Sequence, residues 1–228
     1  MIDFEEQRSL RESRKKNIII APRSSHGKLI NGLTHYYAKQ QNISTEELNC
    51  LINYPHTLFI TCSDSAINPA LLTSMEEREL FVIRNIGNFV PPFHAKSSHS
   101  EAAAIEFALT YLDITDIVVC GHANCSAIKA CQHGDDKTLP RTFNHWIAEI
   151  RSQLSFHAKT TINQISQRNI LNQIENIKKY PAVQDKLQRG TLGLHAWFFD
   201  AEEDVMHEWD KSTQHFELIG MITTDQPV

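Results

Sequence analysis

Two short stretches of this chain gather side chains that bind soft metal ions. One is Cys62-Ser63-Asp64-Ser65 and the other is Gly121-His122-Ala123-Asn124-Cys125. His122 and Cys125 stand three residues apart, so one tight turn can aim both at a single point. Cys62, brought alongside, supplies a third ligand. A set of two cysteines and one histidine is a recognised zinc arrangement, and three protein ligands leave one position open for water, as a catalytic zinc requires. Asp64, two residues past Cys62, is the nearest carboxylate to hydrogen-bond that water or to bind the metal itself. Histidine and cysteine also sit in apolar cores for packing alone. The elements that carry these residues therefore decide between the two readings.

Those elements must end where the ligand stretches begin. Residues 57–62 (TLFITC), 80–83 (LFVI) and 117–120 (IVVC) are short apolar, β-branched runs of the kind buried on both faces of a sheet. The first and third lead straight into the two ligand stretches, and open α/β sheets place ligand groups at the carboxyl ends of such strands. Between the runs, residues 68–74 fit a helical turn with Pro69 at its first position. Residues 101–112 (EAAAIEFALTYL) read as a helix, and another begins across 125–131. This alternation predicts an α/β fold, a mostly parallel central sheet flanked by helices. Further on, 143–154 and 162–177 have helical period, and Pro181 opens a short helix reaching Leu187. Residues 191–200 (TLGLHAWFFD) form a strand, with 205–209 as its hairpin partner at an edge of the sheet near the C-terminus. Residues 1–25 form a charged N-terminal helical arm with Phe4 and Leu10 as a weak apolar stripe. Residues 26–228 make a single domain, opened by helical spacing of apolar residues over 28–41.

The chain has 228 residues, 41% hydrophobic and 21% charged, which is ordinary globular usage and excludes disordered and fibrous classes. A formal charge of −5 lacks the basic footprint of a nucleic-acid surface. No apolar run approaches the roughly 18 residues of a spanning helix, so no membrane partner is expected. The charged start, MIDFEEQRSLRESRKK, lacks the apolar region of a secretory signal, which predicts a cytoplasmic protein. Five cysteines, at positions 50, 62, 120, 125 and 131, argue against a disulfide framework in such a chain. Cys50, Cys120 and Cys131 lack ligand spacing and read as packing residues. His195, within Leu194-His195-Ala196-Trp197, reads as a satisfied core histidine, and His94, His99 and His133 lie in polar segments where they can shuttle protons. Tyr36, Tyr37, Phe89 and Phe93 read as core or interface. No Walker or dinucleotide fingerprint occurs.

Motif by motif and in order, the chain resembles the β-class carbonic anhydrases. The resemblance is carried by Cys62-Ser63-Asp64-Ser65, by Glu79-Leu80-Phe81-Val82-Ile83-Arg84-Asn85, by Gly87-Asn88, and by Cys120-Gly121-His122 with Cys125. It continues through Asn169-Ile170-Leu171-Asn172-Gln173-Ile174-Glu175-Asn176, Pro181, Gly190 and Leu194-His195-Ala196-Trp197-Phe198-Phe199-Asp200, covering roughly residues 28–209, most of the chain. It implies a zinc lyase, a carbonate dehydratase interconverting carbon dioxide and bicarbonate on an α/β fold, working as a homodimer or homotetramer. Carried over, Cys62, His122 and Cys125 are the Zn²⁺ ligands and Asp64 is the catalytic carboxylate that orients the zinc-activated water.

Two positions depart from the family pattern. The residue after Cys-x-Asp-Ser is ordinarily arginine, holding the aspartate in a charge-assisted pair away from the metal; here it is Ala66. Asp64 then has an alternative role as a fourth zinc ligand. A site closed in that way is catalytically silent, and the protein would serve as a binding or regulatory module. A third reading is a related hydrolase acting on an analogue of carbon dioxide. Cys125 is followed by Ser126 where glycine is usual, which costs on the order of 1 kcal/mol if the backbone there needs a positive φ. Arg84 is the nearest arginine to stand in for the missing one, or else a structural residue bonding loop carbonyls.

Overall fold

The computed structural model of the protein describes Leu33 and residues 55–64, 67–75, 77–94, 99–134 and 138–220. The expected N-terminal arm and its boundary at residue 25 lie outside the described residues, as do Tyr36, Tyr37, Cys50 and Ala66. In chain order the elements are β1 (Thr57–Cys62), α1 (Pro69–Thr73), β2 (Leu80–Asn85), α2 (Ser100–Tyr111), β3 (Asp116–His122), α3 (Ser126–His133), α4 (Arg141–Ser152), α5 (Ile162–Ile177), α6 (Pro181–Gln188), β4 (Gly193–Asp200), β5 (Val205–Asp210) and β6 (His215–Ile219). The strands form one mixed sheet in the order β2-β1-β3-β4-β5-β6. Its first four strands are parallel, and β5 and β6 are added antiparallel.

The α/β fold expected from the apolar runs is the one observed, with one correction at the rim. The strand near the C-terminus, β5, pairs on both sides, with β4 and with β6. The edge is β6, a strand of five residues, all exposed or half-buried, too short for its apolar Phe216, Leu218 and Ile219 to fix a period.

Period-2 alternation sorts the central strands into two apolar layers. Leu58, Ile60, Ile117 and Val119 face Ile105 of α2, Ile170 and Ile174 of α5, and Val183 of α6. Phe59, Val118 and Cys120 point the other way, onto Ile67 and Phe199. Burying each of the large aliphatic side chains contributes about 1.5–3 kcal/mol relative to exposure. Both faces are covered, which is why these strands read as unbroken hydrophobic runs.

Helix α5 is the element that links sheet to site. It starts on a capping box in which the Thr161 hydroxyl accepts the Gln164 N–H and the Gln164 side chain accepts the Thr161 N–H. It crosses β3 at Gly121, where a Cβ would meet Ile170 Cγ1 at 2.8 Å. Only a residue without a side chain allows that approach. A polar stripe on its buried face, Asn169, Gln173 and Asn176, holds the loop after β2. Asn169 Nδ2 donates to the Gly87 carbonyl at 2.9 Å, Gln173 Oε1 accepts the Val90 N–H at 2.9 Å, and Asn176 Nδ2 donates to the Val90 carbonyl at 2.9 Å. These bonds satisfy the polar backbone of an irregular segment buried beside the sheet.

Candidate metal centre

Cys62 is the last residue of β1, His122 the last of β3, and Cys125 caps the start of α3. Because β1 and β3 are adjacent parallel strands, their carboxyl ends deliver all three residues to one side of the sheet. Their ligating atoms lie within 4.8 Å of one another, and all three residues are buried. Sequence spacing thus predicted a cluster that the fold assembles. Behind it sits an apolar floor that includes Phe89, Ile128, Ile147, Ile150 and Ile165.

The backbone is arranged to receive thiolates. The Cys62 sulfur accepts the N–H of Asp64 at 3.4 Å and of Gly87 at 3.3 Å. Gly87 reaches it with φ of 79°, a left-handed conformation that favours glycine. The two sulfurs are 3.8 Å apart. A hydrogen bond from Cys125 is the largest influence on Cys62. With the lesser pulls of His122 and the two N–H groups it overcomes burial and brings Cys62 down to about 4. The same contact with Cys62, together with burial, pushes Cys125 up, against the N–H groups of Ile128 and Ala127 at the start of α3. The two thiols therefore titrate as a pair, each set by the other.

His122 completes the set. Its Nδ1–H donates to the Ala123 carbonyl at 2.9 Å, which leaves the lone pair on Nε2. That nitrogen is buried with no hydrogen-bond partner among the described residues. Burial opposes the imidazolium form, but the neighbouring Cys62 outweighs it and His122 is raised from its ordinary value. Zinc fits this geometry. Two sulfurs each about 2.3 Å from a tetrahedral zinc stand about 3.8 Å apart, the spacing found here, and a buried imidazole nitrogen without a partner supplies the third donor.

Asp64 stands outside the three-ligand group. It is exposed, and its Oδ2 accepts the Ser126 N–H at 2.7 Å. Its carboxyl is held below the ordinary range, first by the Ser126 hydroxyl, which burial opposes, and then by that N–H and the positive charges of His122 and Lys129. No arginine forms an ion pair with Asp64 among the described residues. Arg84 instead braces the loop after β1, donating from Nη1 to the Cys62 carbonyl at 3.2 Å and from Nη2 to the Ile67 carbonyl. Ser126 is not among the residues with positive φ, so serine sits there without backbone strain.

The remaining candidates fall away from the centre. Cys120 and Cys131 are buried thiols, each pushed up to about 12 by desolvation, and both serve packing. Phe89 packs edge-on against Trp146 and Phe93 against Tyr180. His99 lies 3.8 Å from Glu149, and His94 and His133 are exposed. Sequence reasoning missed the work of Asn169, Gln173 and Asn176. Their spacing of i, i+4 and i+7 on one helix face was the available signal.

His195 is satisfied, as expected, though by carboxylates and not inside an apolar core. Its Nδ1 faces Glu208 Oε1 at 2.7 Å and its Nε2 faces Asp116 Oδ1 at 3.1 Å, joining β3, β4 and β5. Burial works against its charged form, but Glu208 and Asp116 outweigh it and raise its pKa. Stability drawn from this bridge is complete below the unfolded-state pKa and disappears as pH rises through the raised folded value. Melting temperatures of the protein and of His195→Gln are expected to differ most on the acid side of neutrality and to converge at alkaline pH. A gap that widens with pH would contradict this.

A mixed α/β sheet that brings a buried Cys–His–Cys cluster to the ends of adjacent parallel strands defines an α/β protein with a candidate site for a soft metal ion. The carbonic anhydrase family profile matches residues 57–206. A carbonic anhydrase of Synechocystis is 39% identical over 166 residues, 69% of this chain, and this chain spans 60% of that relative's length. One of Pseudomonas aeruginosa is 35% identical over 71% of this chain and 76% of its own length. The solved β-carbonic anhydrase CcaA superposes with a TM-score of 0.75 at 32% identity, covering 86% of this chain and 100% of that one. The chain belongs to the β-class carbonic anhydrase family.

Proposed function

We propose that this protein catalyses the reversible hydration of carbon dioxide to bicarbonate and a proton, with a zinc ion held by Cys62, His122 and Cys125. The observation that carries the reading is the pair of buried sulfurs 3.8 Å apart beside an unpartnered imidazole nitrogen, in a chain whose relatives are named carbonic anhydrases. When bound, zinc supplies Lewis acidity that makes water a nucleophile near neutrality. The protein does the rest. The Asp64 carboxylate, kept anionic by Ser126 and acceptor-only in that form, accepts a hydrogen bond from the reacting water and so directs its lone pair at the carbon of the substrate. One oxygen–carbon bond forms as a C=O π bond of carbon dioxide opens and leaves its electron pair on oxygen. The water's O–H bond gives up its proton to solvent on the exposed side where Asp64 lies, and bicarbonate departs.

The engagement of Asp64 Oδ2 by Ser126 favours an open site over one in which Asp64 is a fourth ligand. Ala66 lowers the rate, because the charge-assisted partner that arginine provides in the family is missing. Stopped-flow measurement of carbon dioxide hydration tests both statements. The zinc-loaded protein is expected to outpace the buffer, and Ala66→Arg to be about tenfold faster. A zinc-loaded protein with no activity, restored by Ala66→Arg, would instead support the closed site; inactivity in both would sink the enzyme reading. We also place the protein in the cytoplasm, where the free thiols of Cys62, Cys120, Cys125 and Cys131 suit a reducing medium. We propose a homodimer or higher homo-oligomer, supported by exposed Val82, Phe107 and Tyr111 at and beside the sheet-edge strand β2; light scattering measures its size. No helix among the described residues is long and apolar enough to cross a membrane.

A further inference from the structure

We propose that Ser126 is the positioning residue for Asp64, fixing carboxylate Oδ2 at the start of α3 and leaving Oδ1 to serve the reacting water. The inference rests on the carbonic anhydrase reading above and assigns a role to a residue where this chain departs from the family pattern.

Three observations converge on it. The Ser126 N–H meets Oδ2 at 2.7 Å, a short bond of the charge-assisted kind. It spans 62 positions of sequence and therefore fixes the loop after β1 to α3. Ser126 directly follows Cys125, so the grip is anchored on the same turn as a ligand sulfur. Its hydroxyl lies against the same carboxylate, and Lys129, three residues along α3, contributes attractive charge. Finally, no cation is paired with Asp64 among the described residues, so the grip at Oδ2 is not in competition with an ion pair.

The physical logic is one of competition. An aspartate two residues from a ligand cysteine, free to rotate, can swing onto a divalent ion. Binding one oxygen to the positive end of a helix makes that swing cost a charge-assisted hydrogen bond. In a chain with alanine at position 66, α3 supplies the restraint that an arginine side chain would otherwise give. A glycine at position 126 offers the same N–H but no hydroxyl, so the serine strengthens the hold where it is needed.

The test uses the full chain with Ser126→Ala, Ser126→Thr, Asp64→Asn and Asp64→Asn/Ser126→Ala, loaded with zinc for kinetics and with Co²⁺ for visible absorption. Ser126→Ala is expected to lower kcat about tenfold, with KM and metal content unchanged, and Ser126→Thr to stay within about twofold of the parent. In the Asp64→Asn background, Ser126→Ala should change kcat by less than about twofold. The cobalt bands should shift in Ser126→Ala and not between Asp64→Asn and the double variant, since the hydroxyl acts through Asp64. Equal loss of kcat in both backgrounds, or cobalt bands and kcat untouched by Ser126→Ala, would overturn the assignment. Should the parent show no hydration at all, the enzyme reading fails by itself and the cobalt spectra still decide whether Ser126 controls Asp64.

Discussion

Cys125→Ser is expected to reduce bound zinc from about one ion per chain to less than about a tenth of that, and to bring carbon dioxide hydration down to the buffer background. Serine suits this test because it is a favourable residue at a helix start. Cys125 stands at the N-cap of α3 without a side-chain cap bond, so serine there removes no cap and the helix survives. What is lost is one of two thiolates, and the 3.8 Å pair that matches a tetrahedral ion no longer exists. Elemental analysis after dialysis, with circular dichroism to confirm folding, measures the effect. Full zinc occupancy in a folded Cys125→Ser protein would remove Cys125 from the ligand set.

Gln173→Leu is expected to destabilise the metal-free protein by about 3 kcal/mol. Gln173 is completely buried. It accepts the Val90 N–H at 2.9 Å and donates to Asn169 Oδ1 at 2.9 Å. Leucine fills the same space but leaves a backbone donor and a side-chain acceptor without partners, each costing about 1–3 kcal/mol when buried. The loss also travels to the centre, because Asn169 holds the Gly87 carbonyl while the Gly87 N–H faces the Cys62 sulfur. Urea unfolding monitored by tryptophan fluorescence gives the number. A loss below about 1 kcal/mol would show that the stripe on α5 is not what anchors the loop after β2.

The parts of this protein that sequence reveals are those where one local rule dominates. TLFITC and IVVC announce themselves as central strands because burial on both faces demands an apolar residue at every step. Helix α5 matches its expected span of 162–177 because Thr161 and Gln164 form a capping box at its entry. β3 runs further than expected, from Asp116 to His122, since pairing with β4 extends it past its apolar centre. β6 escaped notice because it has no fully buried residue to set a pattern. At the centre, Cys62, His122 and Cys125 were legible since strand ends and a three-residue turn bring them together. The bond between Ser126 and Asp64 was not, because it depends on how a loop and a helix meet in space. The Asn169, Gln173 and Asn176 stripe looked like an interruption of an amphipathic face until the loop it serves was in view.

The imidazole of His122 is oriented by the carbonyl of Ala123, whose own N–H is tied to the carbonyl of Phe199 at 2.9 Å. The Cys62 sulfur likewise leans on main-chain amides. Most of these supports belong to peptide groups, which an exchange of neighbouring side chains does not delete. The Cys–His–Cys cluster is thus insulated from drift in its surroundings, whereas Asp64 has one main-chain support, the Ser126 N–H, and otherwise depends on side chains that are open to rewiring. A change in the side chains around Asp64 can therefore alter that carboxylate while leaving Cys62, His122 and Cys125 together.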